Sequence, residues 1–384
     1  MNGDNRDLAF EVGEYHLRLA AVREQLGDED VLLVFTPENV NYLTGYETIG
    51  YSSYLCLIVP AEGSLRMVVR DMELEAARTT TWLDSFVTVA DNEDAVDRTI
   101  EALADADLAS GTVALELTSP FLTVTTYQRL TAALGEERCR GRSGLVERGR
   151  RIKSPAEIEY TRAACRFAEE GMRAALVAVA AGVTENEVSA AAYQAMVGGG
   201  SDFLASDPIV TSGWRSGVAH TTFGGRTLAQ GDTVLIELGA CRRRYFGALM
   251  RTASVGTPTP EISRVAGVLE EALEAAIDAI RSGVTSAEVD AACRQVIDRN
   301  GYGDWFRKRT GYSMGVAFAP DWGEGHIVSL RKDDDTVLES GMVFHIPPAI
   351  RKYQQFGVGL SESVMVTDSG CEVLTNFSRR LVLS

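Results

Sequence analysis

Apolar and polar positions along this chain fall into two regimes. Up to about residue 150, short apolar runs of strand length, VLLVFT (31–36), SYLCLIVP (53–60) and LRMVVR (65–70), are interspersed with stretches of helical period such as residues 95–104. Strand patterns interleaved with helical ones predict an α/β domain. Beyond that point the sequence KSPAEIEYTRAACRFAEEGM opens a long helical pattern. Ser154 is placed to cap that helix. Pro155 occupies its first turn, where a missing N–H is harmless, and Glu157 completes a capping box. The boundary between two domains, 1–152 and 153–384, is therefore expected here.

The second domain repeats itself. EEGMRAALVAVAAGVTENEVSAAA (169–192) aligns with EEALEAAIDAIRSGVTSAEVDAAC (270–293) at a constant offset of 101 residues. Each copy reads as helix, Gly-Val-Thr turn and capped helix, with Thr184 and Glu187 in one and Thr285 and Glu288 in the other at capping-box spacing. A strand echo follows: Gly231 and Gly341 each precede an apolar run, GDTVLIELG and GMVFHIPPAI. The first run reaches a carboxylate, Glu237, where the second has Pro347. Two copies are too few for a solenoid. They predict a duplicated α/β unit folded face to face, with an asymmetric cleft where the strand ends meet.

Composition adds bounds. The chain has 384 residues, 45% of them hydrophobic and 24% charged, ordinary for a soluble globular protein. A net charge of -17 argues against nucleic acid, whose phosphates demand a basic surface. The one strongly basic run, RGRSGLVERGRRIK (140–153), reads as a solvated linker. No run is long and apolar enough to span a membrane, and the opening MNGDNRD lacks a signal pattern, so a cytoplasmic protein is expected. Six cysteines are scattered without a CxxC pair, which points to reduced thiols rather than a disulfide framework or zinc site.

Several motifs in order give the chain a resemblance to a known family. PENVNYLTGY (37–46), RIKSPAEIE (151–159), GDTVLIELG (231–239), MRT (250–252) and GMVFHI (341–346) resemble the creatinase, aminopeptidase P and prolidase family, M24-like proteins with a pita-bread fold. The resemblance implies a pita-bread catalytic domain preceded by a smaller creatinase-type α/β domain. It also implies a homodimer, because the N-terminal domain in that family packs on a neighbouring subunit. Most members hold two metal ions with five side chains, and those positions fall here on Glu237, Ala248, Tyr312, Pro347 and Ser361. One carboxylate, a phenol and a hydroxyl lack the charge and oxygen count for two bridged ions. No catalytic metal and no other cofactor is expected. Glu362, beside Ser361, restores one ligand only if the register slips by one.

Within the family the chain is similar to metal-independent branches. GVAH (217–220) and YFGALMRT (245–252) resemble creatinase, while ELGACRRRY (237–245), TGYSMG (310–315), PDWGEG (320–325) and the Ser361–Glu362 pair resemble ectoine hydrolases. The implied activity is metal-independent hydrolysis of a non-peptide C–N bond in a small cationic amino-acid-like substrate, with ectoine-type ring opening as the leading class. The double proline of IPPAI and the non-acidic ALM segment depart from that branch and leave the substrate open. Ring closure or elimination, a Xaa-Pro metallopeptidase and an inactive binding homologue are the alternatives.

The candidate residues follow. Glu237 ends an apolar strand, where a charge is costly unless paired, and is expected to act as nucleophile or base, with Arg251 or residues 242–244 as its possible partners. His220 brings the residue type suited to proton transfer. Glu362 is expected to be the second catalytic carboxylate. Tyr312, Asp321, Trp322, Glu324, Arg251 and, less securely, His326 form the expected substrate-binding set, carboxylates and an aromatic face suited to a cation. His345 is expected to alternate away from the cleft as a structural residue, and His16 to pack or lie at the surface of the first helix.

Overall fold

The computed structural model describes residues 6–384; the start of the N-terminal segment, read above as lacking a signal pattern, lies outside them. The chain divides into two compact units, one ending at Arg150 and the other beginning at Arg151.

The first unit runs α1 (Val12–Leu26), β1 (Val31–Val34), α2 (Pro37–Thr44), β2 (Cys56–Pro60), β3 (Arg66–Arg70), α3 (Leu74–Thr80), β4 (Phe86–Val89), α4 (Ala95–Ala104), β5 (Val113–Leu115), α5 (Val124–Leu134), β6 (Cys139–Gly141) and α6 (Leu145–Arg150). The strands form one mixed sheet in the order β4-β3-β2-β1-β5-β6. Its central strand β1 is buried throughout, as its unbroken apolar run requires. The α4 segment read from its period starts on Asp94, whose side chain accepts from the amides of Val96 and Asp97. His16 is exposed, its ring edge-on to Trp82.

The basic run is not the solvated linker expected. Leu145, Val146 and Arg150 are buried in α6, Arg150 donating to Asn39 Oδ1 at 2.7 Å, and Arg142 pairs with the buried Glu29 at 3.1 Å. Each of these charges has a polar partner, which is what makes burial tolerable.

The second unit contains α7 (Pro155–Ala178), α8 (Glu185–Gly198), β7 (Ile209–Ser212), β8 (Thr233–Arg242), β9 (Tyr245–Ser254), α9 (Pro260–Ala279), α10 (Ser286–Arg299), β10 (Gly311–Ser313), β11 (Ser329–Leu330), β12 (Val343–Ile346), β13 (Ala349–Lys352), β14 (Phe356–Gly359), β15 (Glu362–Val366), β16 (Cys371–Val373) and β17 (Val382–Leu383). One sheet has the order β17-β9-β8-β7, a second β11-β10-β12-β15-β16, and β13 pairs with β14. Reciprocal capping boxes start α7 at Ser154, α8 at Thr184 and α10 at Thr285.

The duplication read from sequence is visible bond for bond. Gly182 donates to the Leu228 carbonyl and Gly283 to that of Leu338, while Leu228 and Leu338 donate back to Val183 and Val284. Gly231 and Gly341 both turn through positive φ, 87° and 89°, a conformation that favours glycine.

Strand alternation then sorts the faces. Val234, Ile236 and Leu238 of β8 pack into one core with Ala168 and Met172 of α7 and Val188 and Ala192 of α8. Phe344 and Ile346 of β12 pack into another with Leu269, Leu273 and Val289 of α9 and α10. Because side chains alternate along a strand, Glu237 of β8 and His345 of β12 both point away from the helices. No helix among the described residues is long and apolar enough to cross a membrane. All six cysteines are free thiols.

Candidate functional site

Glu237 is the first element of the site. It is 8% exposed, and its carboxylate has neither a hydrogen-bond nor an ion-pair partner among the described residues. The arginines expected to pair with it are engaged elsewhere. Arg251 bonds Glu362 at 2.8 Å, Arg242 bonds Asp202 at 3.1 Å, and Arg244 lies 4.2 Å from the ring centres of both Phe203 and Phe318. The charge of Glu237 instead acts on Lys308, Arg351 and Tyr312. Burial pushes the Lys308 ammonium down to about 8, against the opposing pull of Glu237. Burial likewise lowers Arg351, which donates to the Ser216 carbonyl at 2.9 Å. Lys308 and Arg351 went unread in the sequence. The one local signal for the lysine is its place in the RKR run (307–309) directly before TGYSMG.

A hydrogen-bonded chain is the second element, a wall that feels the charge of Glu237 through Tyr312. Trp322 Nε1 donates to Tyr312 Oη at 2.9 Å, and Tyr312 Oη meets His345 Nδ1 at 2.9 Å. His345 Nε2 meets Ser361 Oγ at 2.7 Å, and Ser361 Oγ accepts from the Met250 amide at 2.6 Å. Burial raises the Tyr312 phenol well above its ordinary value, and the charge of Glu237 adds to that shift. Burial drives His345 far below the usual imidazole range, with Lys308 and Arg251 pushing the same way. The expectation that His345 faces away from the cleft is thus corrected: Phe344 and Ile346 take the helix side, which leaves His345 on the inner face.

Two glycines make room for this wall. A Cβ at Gly239, the third residue of the ELGA motif, would come within 2.5 Å of the Trp322 indole. One at Gly323 would come within 2.6 Å of the Tyr312 ring. Both rings therefore lie directly on backbone, and Arg309 stacks its guanidinium 4.8 Å from the Tyr312 ring centre.

The other expected site residues are placed differently. Glu362 is 1% exposed and accepts from Arg251, from Arg379 at 3.1 Å and from Thr375. Glu324, also 1% exposed, is paired with Lys153 at 2.8 Å. These two carboxylates and Arg251, expected to act on or hold substrate, lie in ion pairs with protein side chains. Asp321 is exposed and accepts from the backbone amides of Trp322 and Gly323 at 2.8 and 3.0 Å, tying off its own loop. His220 is exposed, with φ 56°, and makes no hydrogen bond or ion pair among the described residues; His326 is exposed as well. Neither histidine is in hydrogen-bond contact with Glu237.

The donor set does not fit a pair of divalent ions. Of the five positions at which the family keeps metal ligands, Ala248 and Pro347 offer no side-chain donor. Tyr312 Oη and Ser361 Oγ are both bonded to His345. That leaves Glu237, and among the described residues no cluster of three or more His, Cys, Asp or Glu side chains is placed to hold a metal. Two bridged cations demand several carboxylate oxygens in one shell.

Known proteins match this chain along nearly its whole length. Residues 159–368 match Metallopeptidase family M24, and residues 18–152 match the Creatinase/Prolidase N-terminal domain. The chain is 30% identical to the ectoine hydrolase of Halomonas elongata, over 97% of this chain and 98% of that enzyme. It is 32% identical to the Xaa-Pro dipeptidase of Pyrococcus furiosus, over 60% of this chain and 65% of that one. Its fold superposes on the prolidase of Pyrococcus horikoshii OT3 with a TM-score of 0.84 at 25% identity, covering 95% of this chain and 100% of that one.

Proposed function

We propose, for a chain that belongs to Metallopeptidase family M24 and is built on its two-domain hydrolase scaffold, metal-independent hydrolysis of a non-peptide C–N bond in a small zwitterion. The substrate carries an amidinium or guanidinium at one end and a carboxylate at the other, and an ectoine-type cyclic amidine is the leading candidate. One observation carries this reading: Glu237 is a buried carboxylate with no hydrogen-bond or ion-pair partner among the described residues, at the family's metal position, in the field of Lys308 and Arg351. Glu237 and Lys308 sense each other without being in ion-pair contact. A guest bearing both charges can lie between them, its cation on Glu237 and its carboxylate toward Lys308 and Arg351. The expected cationic guest is thereby refined to a zwitterionic one.

An amidinium carbon is already electrophilic, so the site does not need a Lewis acid to polarise it. In this reading Glu237 accepts a proton from water attacking that carbon, or attacks it directly, and Tyr312 hydrogen-bonds the leaving nitrogen. An exposed His220 would join only through movement of its loop, so it is assigned no step here. The resemblance to ectoine hydrolase over nearly the full length supports this reading.

The test is turnover of ectoine, with creatine and a Xaa-Pro dipeptide as comparisons, together with elemental analysis of the active protein. Ring opening by protein free of divalent metal and indifferent to chelator is the expected result. Dipeptide cleavage abolished by chelator would overturn the proposal.

Lys308 gives this reading a pH signature. Its amino group is charged below about 8 and neutral above. Attraction for a substrate carboxylate is therefore present at low pH and lost as pH rises through that value. KM is expected to climb across this window while kcat changes less, and Lys308→Met should remove the pH dependence of KM and leave it high throughout. A KM that does not respond to pH in the unaltered enzyme would separate Lys308 from substrate binding.

A further inference from the structure

His345 has no role in the hydrolysis as described above, yet both of its ring nitrogens are committed to residues of the site. It is 0% exposed, and no carboxylate forms an ion pair with it among the described residues. A doubly protonated ring would be a buried charge without a counter-ion, an expensive state, and Lys308 and Arg251 make it more so. The ring is therefore neutral, with one nitrogen donating and the other accepting.

The hydrogen-bond count selects between the two tautomers. If Nε2 carried the proton, Ser361 Oγ would accept from both His345 and the Met250 amide. The serine hydroxyl hydrogen, in a residue that is 0% exposed, would then have no acceptor. An unmet buried donor carries its full desolvation penalty. If Nδ1 carries the proton, Ser361 accepts from Met250 and donates to Nε2, and the fully buried serine hydroxyl is satisfied in both directions. Tyr312 Oη then accepts twice, from Trp322 Nε1 and from His345 Nδ1. Both acceptor sites of the phenol are filled, and its own hydrogen has to point elsewhere. Tyr312 is only partly buried and feels the charge of Glu237 more than those of Asp321 and Arg309, so its hydrogen is left for an acceptor beyond this chain of bonds.

We propose that His345, fixed as the Nδ1–H tautomer by Ser361, is a positioning residue that saturates the Tyr312 oxygen and thereby commits the phenol hydrogen to an acceptor in the site. Tyr312 thus arrives preorganised as a donor, with no competing internal bond to break before it engages the leaving nitrogen or Glu237. This deepens the hydrolytic reading and rests on it for the identity of the acceptor, whereas the tautomer itself can be measured without any substrate.

The experiment is long-range proton–nitrogen NMR on the whole protein with nitrogen-labelled histidine. The chain has four histidines, so the His345 signals are assigned as those lost in His345→Asn. The expected result is a pattern with Nδ1 protonated and Nε2 bare, and erosion of that preference in Ser361→Ala. A predominantly Nε2–H ring, or an imidazolium, overturns the proposal; should His345→Asn not fold, the His345 signals are those left when the exposed His16, His220 and His326 are substituted.

Where turnover is established, Tyr312→Phe is expected to lower kcat/KM by about 10²-fold, as loss of one preorganised donor does. His345→Asn, whose amide N–H reproduces Nδ1–H, should retain most of the activity. His345→Gln, whose amide reaches toward Ser361 instead, should fall to the level of Tyr312→Phe. Equal losses in Asn and Gln variants of native circular dichroism would overturn the positioning role. A correct tautomer without ectoine turnover would instead count against the substrate reading alone.

Discussion

Glu237→Gln is expected to lower kcat by about 10²- to 10⁴-fold, the usual worth of a positioned acid–base group, while the thermal midpoint stays within a degree or two. Two observations combine in this expectation. Glutamine keeps the shape of glutamate but can neither accept a proton at neutral pH nor attack carbon. The carboxylate also has no protein hydrogen bond or ion pair to lose. A buried charge without a partner contributes nothing favourable to folding, so removing it leaves β8 intact. Circular dichroism and single-turnover kinetics on the purified variant decide the matter. A rate within threefold of the unaltered enzyme would take Glu237 out of the chemistry, and a large loss of stability would show it to be structural.

The second large effect concerns stability. Lys153 and Glu324 form an ion pair in which both side chains are 1% exposed. Removing one member of such a pair strips the other buried charge of its partner at 2.8 Å, a change that costs up to about 3–5 kcal/mol. Lys153→Met is therefore expected to move the denaturant midpoint of the second unit sharply downward. The double variant Lys153→Met/Glu324→Met should recover most of that loss, because it removes the stranded charge as well. The pair also bears on function, since Glu324 was expected from its PDWGEG context to hold substrate. If Lys153→Met retained full stability and lost only substrate affinity, Glu324 would belong to the binding site after all.

The same pairing logic explains why the carboxylates divide as they do. Glu362, Glu324 and Glu237 all lie in or beside motifs that resemble the ectoine hydrolase branch, and nothing local distinguishes them. Glu362 is bound by Arg251 from a strand 111 residues earlier in sequence and by Arg379. Glu324 is bound by Lys153, 171 residues away. Only Glu237 is left unpaired. Likewise the alternation in VFHI placed Phe344 and Ile346 on one face and His345 on the other. Which of those faces looks inward depended on where α9 and α10 pack.

What the sequence determined by itself was whatever depends on neighbours a few positions apart. A threonine hydroxyl and a glutamate three residues on meet through the geometry of a helix start, so the caps at Ser154, Thr184 and Thr285 were legible without a fold. The duplication was legible for the same reason, since each copy repeats its own local signals. The ordered motifs carried the family and its architecture. The tertiary structure alone decided which charges neutralise one another and which remain open: that Arg251 takes Glu362, that Lys308 and Arg351 share the field of Glu237, and that His345 joins Tyr312 to Ser361. Those partners come from distant strands and loops, and electrostatic energy depends on distance in space and on burial, neither of which local periodicity encodes.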